Sequence, residues 1–309
     1  LLKGKDLLSI HDLSVDEVAE ILDCAAQLKV MQKAGIEHKY LTGKTLGMIF
    51  EKSSTRTRVS FEVGIFQLGG TGLFLSSKDL QLGRGEPIKD TARVLSRYLD
   101  GIMIRTFEQE KVEELAKYAD IPVINGLTDL LHPCQVLTDL LTIREHKGKN
   151  FRALKMAYVG DGNNMTNSYL YGAAKVGMTL TVATPENYRP DQKVFDKALI
   201  DAEETGAKLF WTQDPVEAVK GTDIIATDTW ASMGQEAEHD VRKKIFAPYQ
   251  VNKKLLSGAS KNAIVLHCLP AYRGEEITDD VFEDNANVIF DEAENRLHTQ
   301  KAIMTLTMG

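Results

Sequence analysis

The sequence predicts an α/β protein made of two doubly wound, parallel-sheet domains. Three observations carry that expectation. Short apolar runs alternate with amphipathic stretches along almost the whole chain, the pattern of strands and helices in parallel sheets. The 309 residues suffice for about two domains of ~150 each. The residues suited to chemistry fall just after the apolar runs, and open sheets of this kind hold ligands at the carboxyl ends of their strands.

The elements follow in order. Residues 14–34 form an amphipathic helix with Ser14 as N-cap and Glu17 completing a capping box. TLGMIF (45–50) is a strand and 55–68 a helix, with Val59, Val63 and Phe66 at three- and four-residue steps. GLFLSS is a strand, 87–99 a helix, GIMIRT a strand, 108–119 a helix and IPVING a strand. A long helix runs from His132 to His146, and the hydrophilic stretch 147–155 marks a domain boundary. The alternation restarts with MAYVGDG as a strand, 164–177 as a helix, TLTVAT as a strand, 191–206 as a helix and KLFWT as a strand. DIIATDTW, AIVLHCLP and NVIFDEAE supply three more strands, and 294–307 is helical.

Composition narrows the function classes. With 37 basic against 44 acidic residues the formal net charge is −7, and no block of Lys and Arg stands out, which argues against nucleic acid as a partner. Small anions bound by local basic clusters fit better. The longest apolar runs are far shorter than the ~20 residues of a membrane span, and the charged N-terminus does not read as a secretory signal. The cysteines Cys24, Cys134 and Cys268 are widely spaced and form no CxxC pair, so no zinc site or disulfide framework is expected. A reducing, cytoplasmic compartment fits them.

Ser53-Ser54-Thr55-Arg56-Thr57-Arg58 sits where a strand ends and a helix begins. The first N–H groups of a helix lack partners there, hydroxyls add donors, and arginine forks match phosphate oxygens. Arg56 and Arg58, two apart, point to different sides of the helix. Gly43-Lys44-Thr45 is not a P-loop, because position 38 is His38 and the triplet precedes its strand. Gly160-Asp161-Gly162-Asn163-Asn164-Met165 is a partial dinucleotide fingerprint with Met165 at the third glycine position. It reads equally as a tight turn, or as asparagines offered to a polar ligand. His132 and Gln135 flank a helix N-terminus where both could donate to a carbonyl oxygen. Asp228, before the turn Ser232-Met233-Gly234, is either a cap or an acid that meets an ammonium. Cys268 beside His267 is in isolation a small buried hydrophobe.

SSTRTR, Arg105, HPCQ, GDGNN, DTWASMG, HCLP and AENR, in this order, resemble the aspartate/ornithine carbamoyltransferase superfamily. SSTRTR and HPxQ belong to the whole superfamily, whereas the SMG turn and HCLP are similar to its ornithine branch. The resemblance spans essentially the full chain. It implies a carbamoyl-phosphate domain over 1–147 and an L-ornithine domain over 148–293. Two bridging helices, an active site in the interdomain cleft, and a final helix (294–309) returning to the first domain also follow from it. It implies no metal and no organic cofactor, and a homotrimer or multiple of trimers with shared sites. Carried over by position, Ser54, Thr55, Arg56 and Thr57 would hold the phosphate, and Arg105 would bridge phosphate and carbonyl oxygen. His132 and Gln135 would hold the carbamoyl group, and Gln81 would reach a neighbouring subunit's site. Asn164, in preference to Asn163, would bind ornithine with Asp228, Ser232 and Met233, and Gln81, Cys268, Leu269 and Arg296 would complete the carbamoyl-phosphate site. Arg56, Arg105, His132, Asp228 and Cys268 are the expected catalytic set. The rivals are carbamoyl transfer to aspartate, putrescine or N-acetylornithine, a dinucleotide-dependent dehydrogenase, and a non-catalytic binding module.

Overall fold

The structure, a computed structural model, describes residues 2–76, 85–231 and 238–309. The chain divides into two compact units, Leu1–Leu141 with Glu294–Gly309, and Thr142–Ala293. Among the described residues no helix is long and apolar enough to cross a membrane.

In the first unit α1 (Val15–Lys33) precedes β1 (Thr45–Phe50), α2 (Thr55–Gln67), β2 (Thr71–Ser76), α3 (Ile88–Leu95) and β3 (Gly101–Arg105). Then come α4 (Gln109–Tyr118), β4 (Val123–Leu127) and the start of α5 (Pro133–Lys147). The expected capping box closes α1: Ser14 Oγ accepts from the Glu17 N–H, and the Glu17 carboxylate accepts from the Ser14 N–H at 2.8 Å. The strands are parallel in the order β2-β1-β3-β4. Ile49, Ile102, Ile104 and Val123 from the sheet pack with Val112 and Leu115 of α4. The chain leaves β1 in one direction and returns to β3 on the other side, so the switch point of the sheet lies between the ends of β1 and β3.

Helix α2 forms where expected but turns the other way. Thr57, Phe61, Gly64 and Ile65 face inward. Val59, Val63 and Phe66 face out, Phe66 being 76% exposed. The reason lies in α12 (Ala286–Met308). A Cβ on Gly64 would stand 3.0 Å from Met304 Cε and 3.3 Å from Lys301 Cγ. That helix can approach α2 closely only along its glycine face.

In the second unit β5 (Lys155–Val159), α6 (Asn164–Val176), β6 (Thr179–Ala183), α7 (Gln192–Thr205), β7 (Lys208–Thr212) and α8 (Pro215–Val219) alternate. They are followed by β8 (Ile224–Thr227), α9 (His239–Phe246), α10 (Lys253–Leu256), β9 (Ile264–His267) and α11 (Asp279–Asp284). The parallel order is β7-β6-β5-β8-β9, with the switch point between β5 and β8. Ala157, Ile225 and Val265 of the sheet pack with Trp230, Phe246 and Phe282 in the core.

One expected strand does not form. NVIFDEAE is the first part of α12, whose residues from Glu294 onward belong to the first unit. The three-residue apolar run 288–290 is too short to fix a period. The buried face continues at helical steps through Ile289, Glu292, Arg296, Thr299 and Ile303. Its polar members hide the helical pattern from a hydrophobicity reading.

Candidate active site

Each unit carries its chemistry at the carboxyl end of its sheet, beside the switch point. In the first unit, Ser54 follows β1 as the N-cap of α2, accepting from the Thr57 N–H at 3.2 Å. Thr55, Arg56 and Thr57 therefore form the first turn of α2, where unpaired N–H groups and the helix dipole favour an anion. Thr55 is exposed, Arg56 half-buried and Thr57 buried. Arg105, the last residue of β3, reaches Thr57 Oγ1 at 3.5 Å. From α12, Arg296 donates to the same oxygen at 3.1 Å and to Gln135 Oε1 at 2.7 Å. Gln135 in turn donates to Asp139 at 2.8 Å. His132 precedes α5 and is buried. Its pKa lies well below the ordinary imidazole value, because burial disfavours the cation and because Arg296, Arg105 and Arg56 surround it with positive charge. The imidazole is thus neutral at physiological pH and can donate without adding charge. The corner thus gathers arginines and a neutral imidazole at the N-terminus of a helix.

Two supporting residues escaped the sequence reading. Lys52, directly after β1, is buried and paired with Asp129, and its ammonium lies 4.3 Å from the centroid of the Phe107 ring. Glu51 holds Lys111 at 2.9 Å and accepts from Thr106. These pairs tie the loop after β1 to the loops after β3 and β4. Their only sequence signal is a charge next to a buried strand end.

In the second unit Asn163 caps α6, accepting from the Met165 N–H at 3.0 Å, and donates through Nδ2 to Asp228 at 2.9 Å. Asp228 also accepts from the Thr229 N–H at 2.7 Å and from the Cys268 thiol at 3.2 Å. Asp228 is buried, yet among the described residues no lysine, arginine or histidine pairs with it. Asn164 is the half-buried first residue of α6. Asn164 is the asparagine expected to face the ligand, whereas Asn163 is the one in contact with Asp228.

Cys268 stands on a strained turn. Leu269 has φ of +61°, rare for a residue with a branched side chain, and is followed by a cis bond to Pro270. The turn is held by the Leu269 N–H donating to His267 Nδ1 at 2.9 Å, while His267 Nε2 faces Glu276 at 2.9 Å. The acceptor role of Nδ1 makes Nε2 the donor to that carboxylate. His267 thus shapes the loop that presents the thiol.

The structure brings together Ser54, Thr57, Arg105, Gln135 and Arg296 in the first unit, with Arg56 and Arg105 acting on His132. In the second it joins Asn163, Asp228 and Cys268, with Leu269 on the adjoining turn. Gln81, Ser232 and Met233 lie outside the described residues.

Comparison with known proteins finds two family domain models along the chain. Residues 5–145 match the carbamoyl-P binding domain of aspartate/ornithine carbamoyltransferases, and residues 152–307 match the Asp/Orn binding domain. The ornithine carbamoyltransferase of Carboxydothermus hydrogenoformans is 61% identical over 99% of this chain and 98% of its own length. The solved structure of the Pyrococcus furiosus enzyme superposes with a TM-score of 0.96 at 55% identity, covering 100% of this chain and 98% of that one. An anabolic ornithine carbamoyltransferase from Campylobacter jejuni gives 0.91 at 46% identity, covering 97% of each chain. Matching both domain models over nearly all of its length, the chain belongs to the aspartate/ornithine carbamoyltransferase family.

Proposed function

We propose that the chain transfers the carbamoyl group of carbamoyl phosphate to the side-chain amine of L-ornithine, giving L-citrulline and phosphate in arginine biosynthesis. The observation that carries this is the opposite charge of the two strand-end half-sites. Arginines converge on a helix N-terminus in one, and a buried carboxylate without a cationic partner among the described residues waits in the other.

Ser54, Thr55, Arg56 and Thr57 hold the phosphate, with Arg296 fixing Thr57 and Gln135. Arg105 spans phosphate and carbonyl oxygen, and His132 and Gln135 hold the carbamoyl group. Asp228 takes an ammonium of the amino acid and shares its binding with Asn164, Ser232 and Met233, while Cys268 and Leu269 complete the carbamoyl-phosphate side. The amine nitrogen attacks the carbamoyl carbon and the bond from that carbon to the phosphate oxygen breaks. The electron pair leaves with phosphate, and the amine loses a proton. An alkylamine with pKa near ~10.4 is neutral in roughly one part in 2,500 at pH 7, a cost of about 4.6 kcal/mol. Cys268 and Asp228 orient the amine or take its proton. Arg56, Arg105 and the neutral His132 stabilise the charge that develops on the leaving group and carbonyl. Alignment of the two substrates supplies a further ~7–11 kcal/mol. No metal or organic cofactor enters this scheme.

The enzyme works in the cytoplasm as a homotrimer, or a multiple of trimers, in this proposal. The outward Val59, Val63 and Phe66 of α2, with Leu73 and Phe74 of β2, form an apolar face that another copy would cover. Gln81 would reach the neighbouring subunit's site. The test of function is citrulline formation from carbamoyl phosphate with L-ornithine, beside L-aspartate, putrescine and N-acetyl-L-ornithine as acceptors. Fast turnover with L-ornithine alone is expected; turnover with another acceptor would overturn the acceptor assignment and keep the phosphate half.

A further inference from the structure

Arg242 of α9 is 3% exposed and the mechanism above does not use it. Its guanidinium touches two separate parts of the second unit. Nη2 pairs with the Asp161 carboxylate in the turn after β5, and Nε donates to the Trp230 carbonyl beyond β8. Nη1 lies 3.5 Å from the exposed Glu238. The Tyr188 and Phe246 rings flank the group, their centroids 4.8 and 5.2 Å from Cζ, so its plane is confined. A buried arginine held this way is a two-pronged strut, and lysine, with a single point charge, could not satisfy both acceptors in the same geometry.

The strut bears directly on Asp228. Asp161 and Asp228 follow neighbouring strands at the switch point, close enough that the charge of Asp228 helps burial push the Asp161 carboxyl up to about 6, against the pull of Arg242. Asp161 belongs to the same turn as Asn163, the residue that donates to Asp228. Two buried carboxylates therefore share this corner. One has a guanidinium, and among the described residues the other has neutral donors. Trp230 stands two residues before Ser232 in the chain.

We propose that Arg242 is a positioning residue for the acceptor half-site: it satisfies Asp161 and fixes the Trp230 carbonyl, leaving Asp228 as the carboxylate that an incoming ammonium meets. This rests on the function proposed above. Without Arg242 the Asp161 carboxyl, already raised by burial, stays ionised only if another cation offsets it, so the incoming ammonium is drawn to Asp161 as well as to Asp228, and the Trp230 carbonyl loses its donor.

The test measures the KM values of both substrates, with thermal unfolding as a control, in wild type, Arg242→Gln, Arg242→Lys and Arg242→Gln combined with Asp161→Asn. In Arg242→Gln the ornithine KM should rise roughly ten-fold or more, as when one partner of a buried pair is removed. The carbamoyl phosphate KM should stay within about two-fold. Arg242→Lys should fall between, because it restores charge without the fork. The double variant should regain at least about three-fold of the loss, because no uncompensated acid remains. Equal rises in both KM values, an unchanged ornithine KM, or no recovery in the double variant would overturn the proposal. If Arg242→Gln fails to fold, Arg242→Lys and the double variant decide by the same comparison. A wild-type enzyme that makes no citrulline would overturn the functional assignment itself, whereas active wild type with indifferent variants would overturn only the role of Arg242.

Discussion

The two units solve the same geometric problem with opposite charge. Both place their polar residues where the sheet order reverses, beyond the strand ends, and both use an asparagine or serine to cap the helix that follows. In the first unit burial, and then the charges of Arg296, Arg105 and Arg56, keep the His132 imidazole in the neutral form. In the second, two carboxylates and a thiol gather, and the nearby Arg242 is committed to Asp161. The fold thus supplies the location, while the sign of a few buried side chains decides which ligand charge that location favours.

The largest expected effect comes from removing charge at the first half-site. Arg56→Gly should lower kcat by at least ~10³-fold, the upper range for losing one group aimed at developing charge. The far-UV circular dichroism should be unchanged, since Arg56 is only half-buried in the first turn of α2. A folded variant with near-normal turnover would remove Arg56 from the phosphate role and break the contrast at its strongest point.

Next in size is the pH profile. His132 stays neutral because its pKa is lowered, so between pH 6 and 8.5 it neither gains nor loses a proton. Asp161, near 6, is more fully ionised as pH rises, which tightens its pair with Arg242. The neutral fraction of an amine with pKa ~10.4 grows about ten-fold per unit. The kcat/KM for ornithine should therefore climb across this range, by up to about 300-fold where nothing else limits the rate. A flat profile from pH 6 to 8.5 would show that the rate does not follow the neutral fraction of the free amine, and the neutral-amine requirement would fall.

How much of this was legible beforehand follows the same division. The apolar runs made the central strands legible, because strands such as β1, β3, β5 and β8, buried on both faces, must be apolar along their length. The hydroxyl and arginine cluster stood out because it is contiguous. What stayed hidden depends on pairs far apart in the chain: Arg242 meets Asp161 across 81 positions, and Arg296 meets Thr57 across 239. The inward turn of α2 was hidden too, since Gly64 has no side chain to announce that α12 packs on it. The strand expected at 287–294 failed for a related reason, the buried polar side chains of a helix that a hydrophobic period cannot see. Asn163 and Asn164 differ only in capping geometry, which adjacent identical residues cannot reveal.

A smaller effect separates the two substrates. Cys268 touches Asp228 and belongs to the second unit. Cys268→Ser should raise the ornithine KM about ten-fold, as when a half-buried hydrogen-bonding contact loses its geometry. Binding of carbamoyl phosphate, followed by calorimetry, should change little. Equal losses for both substrates would mean that the thiol does not belong to the acceptor half alone.

The smallest effect concerns a buried cation that the contrast must leave out. Lys301 of α12 is fully buried in the first unit, with Nζ 2.9 Å from Gln32 Oε1, 3.0 Å from His38 Nε2 and 3.0 Å from Gln67 Oε1. All three neighbours are neutral acceptors when His38 donates its Nδ1–H to the Ile36 carbonyl, 2.8 Å away. Burial alone lowers the Lys301 pKa from 10.5 to about 8. In the unfolded chain it keeps the higher value, so between pH 8 and 10.5 the unfolded state binds a proton that the folded state has released. Raising the pH through that window must then favour the folded state, by about 1–3 kcal/mol once solvent screening is allowed for. Lys301→Met cannot titrate, so the Tm difference, wild type minus variant, should grow by a few degrees from pH 7.5 to 10. Turnover at pH 7.5 should stay within about two-fold, because the Lys301 partners lie at the ends of α1 and α2 remote from Ser54 and Arg56. A variant that lost activity as Arg56→Gly does would make any buried cation of this unit part of the anion site. Retained activity with a pH-dependent Tm difference would confine the phosphate site to the arginines at the strand ends.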